Sequence, residues 1–351
     1  MAKTAFTTSS AETKKLWEEK FFRDTVLESF WNKFEGEGSN NVVQVQRMLE
    51  KSQGDQVYFF IRYTPTNVGV GPGSAMEGNE DKLLTASDSV TLTRRRYAVR
   101  DNGELDRQRA FFSIDVESEM SLKEWAVEWI DREKFFMATY GITYSAFLAG
   151  GSKVTNTKVF YGGDATSDGT LEADDLITPA QISRMVAYAK QTNAHSRVAL
   201  RPIKIKGRDY FVLLVHPDVA YDLKRNSEYL QNLRECLQRS PDHPIFTGAL
   251  GVSHDGVIFH EHEKIEISNT LGSGAISGAY NLFMGQQALC WAWGHDMLSV
   301  TKKKFDYDEE HGYQISLTYG GTRSAFTKPG GSSADYGIMR FTTARTKITD
   351  A

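Results

Sequence analysis

This 351-residue chain has only two cysteines, no long apolar run and a small net charge, and each of these narrows what it is. Cys236 and Cys290 lie far apart, which fits a reducing compartment and excludes a disulfide framework. No apolar stretch reaches the roughly 18 residues of a membrane-spanning helix. The opening Met1-Ala2-Lys3-Thr4-Ala5-Phe6 lacks the apolar core of a signal peptide, so synthesis and folding in a cytoplasm are expected. The 41 Lys+Arg against 45 Asp+Glu leave a formal charge of −4, so no overall basic field recruits nucleic acid. There is no Gly-x-Ser-x-Gly elbow, and neither cysteine has a readable histidine partner.

The chain is long enough to bury a large core, and its 40% hydrophobic and 25% charged residues are ordinary for a folded soluble protein. The most informative stretch is Gln56–Arg100. Val57–Tyr63 is dense in β-branched and aromatic residues, and Val90–Val99 reads as a second strand carrying Arg94, Arg95 and Arg96. Between them lies a polar loop of roughly 25 residues, long enough to be functional in itself. It holds Gly69, Gly71, Pro72, Gly73 and Gly78, then Glu77, Glu80 and Asp81. A two-stranded ribbon of this kind is marginal alone, so its expected partner is another molecule. The arginines are expected to pair with carboxylates across an interface, Arg94 and Arg96 on one face and Arg95 on the other.

Elsewhere helices and strands mix. Ser9-Ser10-Ala11-Glu12 reads as a capping box that opens a helix to about Phe34, with Leu16, Trp17, Phe21, Phe22, Val26, Leu27, Phe30, Trp31 and Phe34 at helical spacing. That face is either a core helix of the subunit or an arm docking on a neighbour. A second helix, Val116–Tyr140, starts near Asp115 or at the capping box Ser121-Leu122-Lys123-Glu124, and Gly141 ends it. Strands are expected at Lys158–Tyr161, Lys204–Lys206, Tyr210–His216, Gly256–Ile267, Tyr313–Tyr319 and Tyr336–Thr343. Helices are expected near Thr178–Gln191, at Val219–Arg239 and at the apolar Tyr280–His295. This is an α+β pattern without a βαβ period.

Chemical motifs are few. Gly69-Val70-Gly71-Pro72-Gly73 follows a strand, but no helix begins there to hold a phosphate. Asp164–Asp175 spaces its oxygens almost like a calcium-binding EF-hand loop; the alternative is an acidic turn before a helix. His254, His260 and His262 are the densest metal-ligand candidates, with His260 and His262 on one face of a strand, and they support a rival reading as a metal-dependent enzyme.

The order of parts resembles the major capsid proteins of tailed double-stranded DNA phages, which share the HK97-like fold, and more closely the family typified by the N4-like phages. The resemblance rests on Thr8–Trp17, Phe34–Asn41, Glu77-Gly78-Asn79-Glu80, Tyr161–Ser167 and Asn281-Leu282-Phe283-Met284-Gly285, and covers nearly the whole chain. It implies an α+β capsid fold: an amino-terminal arm over residues 1–55, an extended loop (E-loop) over 56–110 lying on the adjacent subunit, a peripheral domain with a long spine helix over 111–152 and 299–351, and an axial domain over 153–298. It implies a structural subunit and not an enzyme, with no cofactor or metal, assembling in a bacterial cytoplasm into hexamers and pentamers of the virion's icosahedral head. The implied partners are further copies, a portal protein, a decoration protein and packaged double-stranded DNA bound without sequence specificity. No long, charged helical extension precedes the arm, so a separate scaffolding protein is expected. The residues expected at contacts between subunits are Trp17, Phe30 and Trp31 of the arm, Glu77, Glu80 and Asp81 of the loop, and Arg94, Arg95 and Arg96.

Overall fold

The structure, a computed structural model, describes residues 29–47, 54–62, 69–73, 75–80, 82–83, 85–110, 113–190, 200–235, 244–246, 249–250, 253–272, 274–326 and 335–348. Trp17, Asp81, Cys236 and the Ser9 capping box, with most of the expected first helix, lie outside them. A 3-10 turn, Phe30–Phe34, leads into the short strands β1 (Glu35–Gly36) and β2 (Val43–Gln46). Next come β3 (Gln56–Arg62), β4 (Thr85–Thr91), β5 (Thr93–Arg100) and helix α1 (Glu104–Arg109). The long helix α2 (Ile114–Tyr140) is followed by α3 (Tyr144–Leu148), β6 (Val159–Tyr161) and α4 (Pro179–Lys190). Then follow β7 (Ile203–Ile205), β8 (Arg208–Val215), α5 (Pro217–Arg225), α6 (Ser227–Glu235) and β9 (Val257–Glu261). β10 (Ile267–Leu271), β11 (Ile276–Met284), β12 (Leu289–Phe305), β13 (Glu310–Arg323) and β14 (Ile338–Ala344) complete the chain.

Helix α2 has 27 residues, about 40 Å at 1.5 Å per residue. Asp115 and Glu117 sit in its first turn, where the helix dipole favours negative charge. Gly141 ends it in the left-handed region at φ 72°, its N–H bonded to the Met137 carbonyl at 2.8 Å. Because the helix starts at Ile114, the Ser121 capping box is interior and caps nothing. Leu122, Ala126, Ile130 and Met137 are buried in one core with Ile315, Leu317 and Tyr319 of β13, while Trp125 and Trp129 flank that core half-buried.

Two sheets build the body. The five-stranded sheet runs β1-β2-β12-β13-β5, with β12 and β13 a long antiparallel hairpin. The other sheet runs β6-β14-β11-β8-β7, with β10 added to β11 and β9 to β8. It is buried on both faces: Val212 and Leu214 face the core of α2, while Phe211, Leu213 and Val215 face α4 and α5. β3 and β4 form a separate two-stranded ribbon.

Several expectations are corrected. Tyr280–His295 is not a helix but the end of β11, a turn and the start of β12. A continuous apolar run has no period that separates a buried strand from a buried helix. The expected second ribbon strand is two strands broken at Leu92, whose N–H bonds to the Asp55 carbonyl at 2.8 Å. The arginines therefore belong to β5, paired with β13, and not to the ribbon. The helix expected at Val219–Arg239 breaks at Asn226, whose side-chain oxygen accepts from the N–H groups of Glu228 and Tyr229 and starts α6. Gly256–Ile267 divides into β9 and the beginning of β10. Of the last two strands, β13 lies in the five-stranded sheet and β14 pairs with β11 and β6 in the other.

Candidate functional site: arm root, ribbon and arginine strand

The arm root is the stretch that joins the 3-10 turn to α2. Ser29, extended at ψ 136°, is the cap of the turn, so a helix does not run unbroken to Phe34. Its hydroxyl donates to Asp131 Oδ1 at 2.6 Å, and the Phe30 N–H donates to Asp131 Oδ2 at 3.2 Å. One turn on, Lys134 forms a buried ion pair with Glu35. Trp31 has none of its surface exposed and lies 5.0 Å from the Phe135 ring. It belongs to the subunit's own core, which corrects its expected place on a docking face. Phe30 is half-buried, its ring 5.5 Å from Phe135 and 4.5 Å from His262.

The ribbon alternates strictly. Val57, Phe59 and Ile61 point inward and share a cluster with Ala86, Val90, Cys290, Ala292, Phe326 and Tyr336. The ribbon therefore has a partner within its own chain, contrary to expectation. Its other face has none among the described residues: Tyr58 is 50% exposed, Phe60 67%, and the two rings stack 6.4 Å apart. At the tip, Glu77 and Glu80 are exposed, with Met76 and Leu83 beside them. Glu80 accepts from the Gly78 N–H at 2.8 Å.

On β5 the arginines alternate as expected. Arg95 turns toward α2, its guanidinium 4.7 Å above the Trp129 ring, and Trp129, Trp125 and Tyr97 continue the stack. Arg94 turns to the opposite face and donates to Ser316 Oγ at 3.1 Å, while Arg96 stands exposed across from Ser316. Farther along, Arg100 pairs with Glu310. β5 is an edge strand, and charged side chains on an edge disfavour indiscriminate strand pairing.

The motifs behind the rival readings have structural duties. His260 is fully buried, with Nε2 2.8 Å from the Ile245 carbonyl and Nδ1 3.1 Å from Lys33 Nζ. His262 Nδ1 accepts from the Lys264 N–H, and His254 bonds to Ser183 Oγ. The three rings do not converge, so they are not a ligand set. In Asp164–Asp175, Asp168 takes both bonds of a forked contact from Arg340, and the buried Asp175 accepts from the Glu172 N–H. Those carboxylates hold the loop itself.

Two buried polar centres gave no local sequence signal, since their members are far apart in the chain. Glu133, fully buried on α2, accepts from Tyr319 at 2.6 Å and from the Ser145 N–H at 3.0 Å. Burial, then the Glu133 carboxylate, holds the Tyr319 phenol far above its ordinary pKa. Arg323 pairs with Asp335 at 2.7 Å and donates to the carbonyls of Thr139 and Thr155. Both fasten the end of α2 to β13. At the opposite end, Asp101, Asp115 and His311 gather, but Asp101 is already paired with Arg107 at 2.7 Å.

With this geometry in place, the chain can be set beside known proteins. The family described as "Phage capsid protein" matches residues 5–346. The major capsid protein of Pseudomonas phage KPP25 is 26% identical over 374 residues, covering 96% of either chain. The capsid of Ralstonia phage GP4 superposes with a TM-score of 0.80 at 22% identity, over 92% of this chain and 93% of that one. The capsid of cyanophage Pam1 follows at 0.73 and 19%, over 92% and 94%. No helix among the described residues is long and apolar enough to cross a membrane.

Proposed function

The chain belongs to the phage capsid protein family and has the α+β HK97-like fold of phage shells, and on that premise we propose that it is the major capsid protein of its virion, closing into hexamers and pentamers of an icosahedral head around double-stranded DNA. The observation that carries this reading is agreement with the family over residues 5–346 together with a ribbon face that none of the described residues covers. Tyr58 and Phe60 are stacked and exposed on a strand whose alternate residues are buried, which is the pattern of a surface waiting for a second layer.

In this reading the ribbon and its tip are the extended loop, laid over the adjacent copy. α2 is the spine of the peripheral part, and the double-faced sheet with α4, α5 and α6 forms the axial part. Arg94 and Arg96 supply contacts to carboxylates of a neighbouring copy, and Glu77 and Glu80 are candidate acids. Assembly proceeds in a bacterial cytoplasm with a separate scaffolding protein, a portal and a decoration protein.

The test is expression of the chain with the neighbouring genes of its phage, followed by sedimentation and electron microscopy. Megadalton closed shells built mainly of this chain are the expected result. A small, discrete oligomer under the same conditions would contradict the proposal.

A further inference from the structure

We propose that Asp101, Asp115 and His311 form a binding site for a divalent transition-metal ion, with zinc as the best fit, that staples β5 and β13 to the start of α2. Each ligand comes from a different element. Asp101 follows the last residue of β5, His311 is the second residue of β13, and Asp115 lies in the first turn of α2. Their ligating atoms all lie within 4.8 Å of one another. His311 Nδ1 and Asp115 Oδ1 are 3.7 Å apart, too long for a hydrogen bond. Bonds of about 2.0–2.2 Å from one ion set two ligand atoms about 3–4 Å apart, so that gap has the span of a shared metal.

A second observation points the same way. Asp115 Oδ1 has almost no exposed surface and no hydrogen-bond partner among the described residues. A buried carboxylate oxygen without a donor is costly, and a cation at this point satisfies it. The pairing of Asp101 with Arg107 does not use that carboxylate up. Arg107 Nη1 meets Oδ2 at 2.7 Å and the His311 N–H donates to Oδ1, while a carboxylate offers about four lone pairs. Those two donors fix the Asp101 carboxylate in place, as outer partners of a metal ligand do. The Tyr313 phenol, hydrogen-bonded to Asp115, does the same for that residue. Burial, then Asp115, Glu119 and Asp101, hold this phenol above its ordinary pKa, so the acids converge here. The nearby cations are engaged, since Arg107 also donates to the Glu309 carbonyl at 2.9 Å and Lys302 pairs with Glu119. The Asp115 side chain is half-exposed, which gives an ion its way in. An imidazole beside two carboxylates selects a transition metal over magnesium or calcium, which prefer oxygen alone.

The inference goes beyond shell formation and is read on unassembled full-length protein, so its failure is distinct from failure of assembly. Zinc binding is measured by isothermal titration calorimetry, and by competition with a chromophoric chelator, in excess magnesium. The wild type should bind one tight equivalent of zinc, and its melting temperature should rise when the ion is added. Asp115→Asn and His311→Gln leave the Asp101–Arg107 pair intact. Each should weaken that equivalent by at least about tenfold and remove the zinc-dependent rise. No tight equivalent in the wild type would overturn the proposal. So would an equivalent retained at full affinity by either variant, which would place the ion elsewhere on the chain. Should His311→Gln fail to fold, Asp115→Asn, altered at a half-exposed position, decides.

Discussion

A tryptophan with no exposed surface and the rings of Phe34 and Phe135 beside it, as Trp31 is, stabilises the subunit itself. Trp31→Ala is expected to cost about 3–5 kcal/mol in urea unfolding of the unassembled chain. Trp31→Phe should cost much less, because the indole N–H has no hydrogen-bond partner among the described residues. A normal unfolding midpoint in Trp31→Ala, with assembly lost, would restore Trp31 to the interface. Arg94 is a different case, exposed and, among the described residues, bonded only to a hydroxyl. Arg94→Glu should impair assembly more than Arg94→Ala, and a charge-reversed acid on the neighbouring copy should partly restore it. Normal shells that package genome poorly would instead turn this face toward DNA. The sequence reading placed the alternation of the three arginines correctly, because strand geometry dictates it. It had no way to see that His260 meets Lys33, since 227 residues separate them.

Among the elements, the ribbon has two faces with opposite expectations. Phe59 is fully buried against the body, so Phe59→Ala should lower subunit stability by about 3–5 kcal/mol. Tyr58→Ser combined with Phe60→Ser removes only exposed rings and should leave the unfolding free energy within about 0.5 kcal/mol of the parent while weakening shells. Equal losses of stability from both changes would mean that the outer face is covered by its own chain. Replacing residues 68–83 with a Gly-Ser bridge should likewise spare the subunit, since long surface insertions contribute little to its stability. Helix α2 was legible from its stripe and from Gly141, both of which act locally. The hairpin entered at Leu289 was not: Ala288, Leu289, Cys290, Trp291, Ala292 and Trp293 are all buried, and a run wetted on no side shows no period. The break at Leu92 escaped for a related reason, because it depends on the carbonyl of Asp55 and not on a turn residue.

At the scale of the whole molecule, the subunit fastens its own body from within and leaves exposed rings and charges at the margins. Glu133, Arg323 and the Trp31 cluster lie inside, while Tyr58, Phe60, Glu77, Glu80, Arg94 and Arg96 lie outside. If ion pairs of that outer set join the copies, assembly should weaken with rising ionic strength, since exposed pairs are worth only about 0–1 kcal/mol each and salt screens them. Light scattering across a salt series would show it, and assembly indifferent to salt would point to the apolar ribbon face alone. The central claim is that this chain builds a closed shell by laying its ribbon on a neighbouring copy. A cryo-electron microscopy reconstruction of its assembled particles at side-chain resolution tests that most directly. The expected result is hexamers and pentamers in which the rings of Tyr58 and Phe60 are covered by the adjacent subunit; rings left facing solvent in a closed shell, or particles with no icosahedral order, would contradict it.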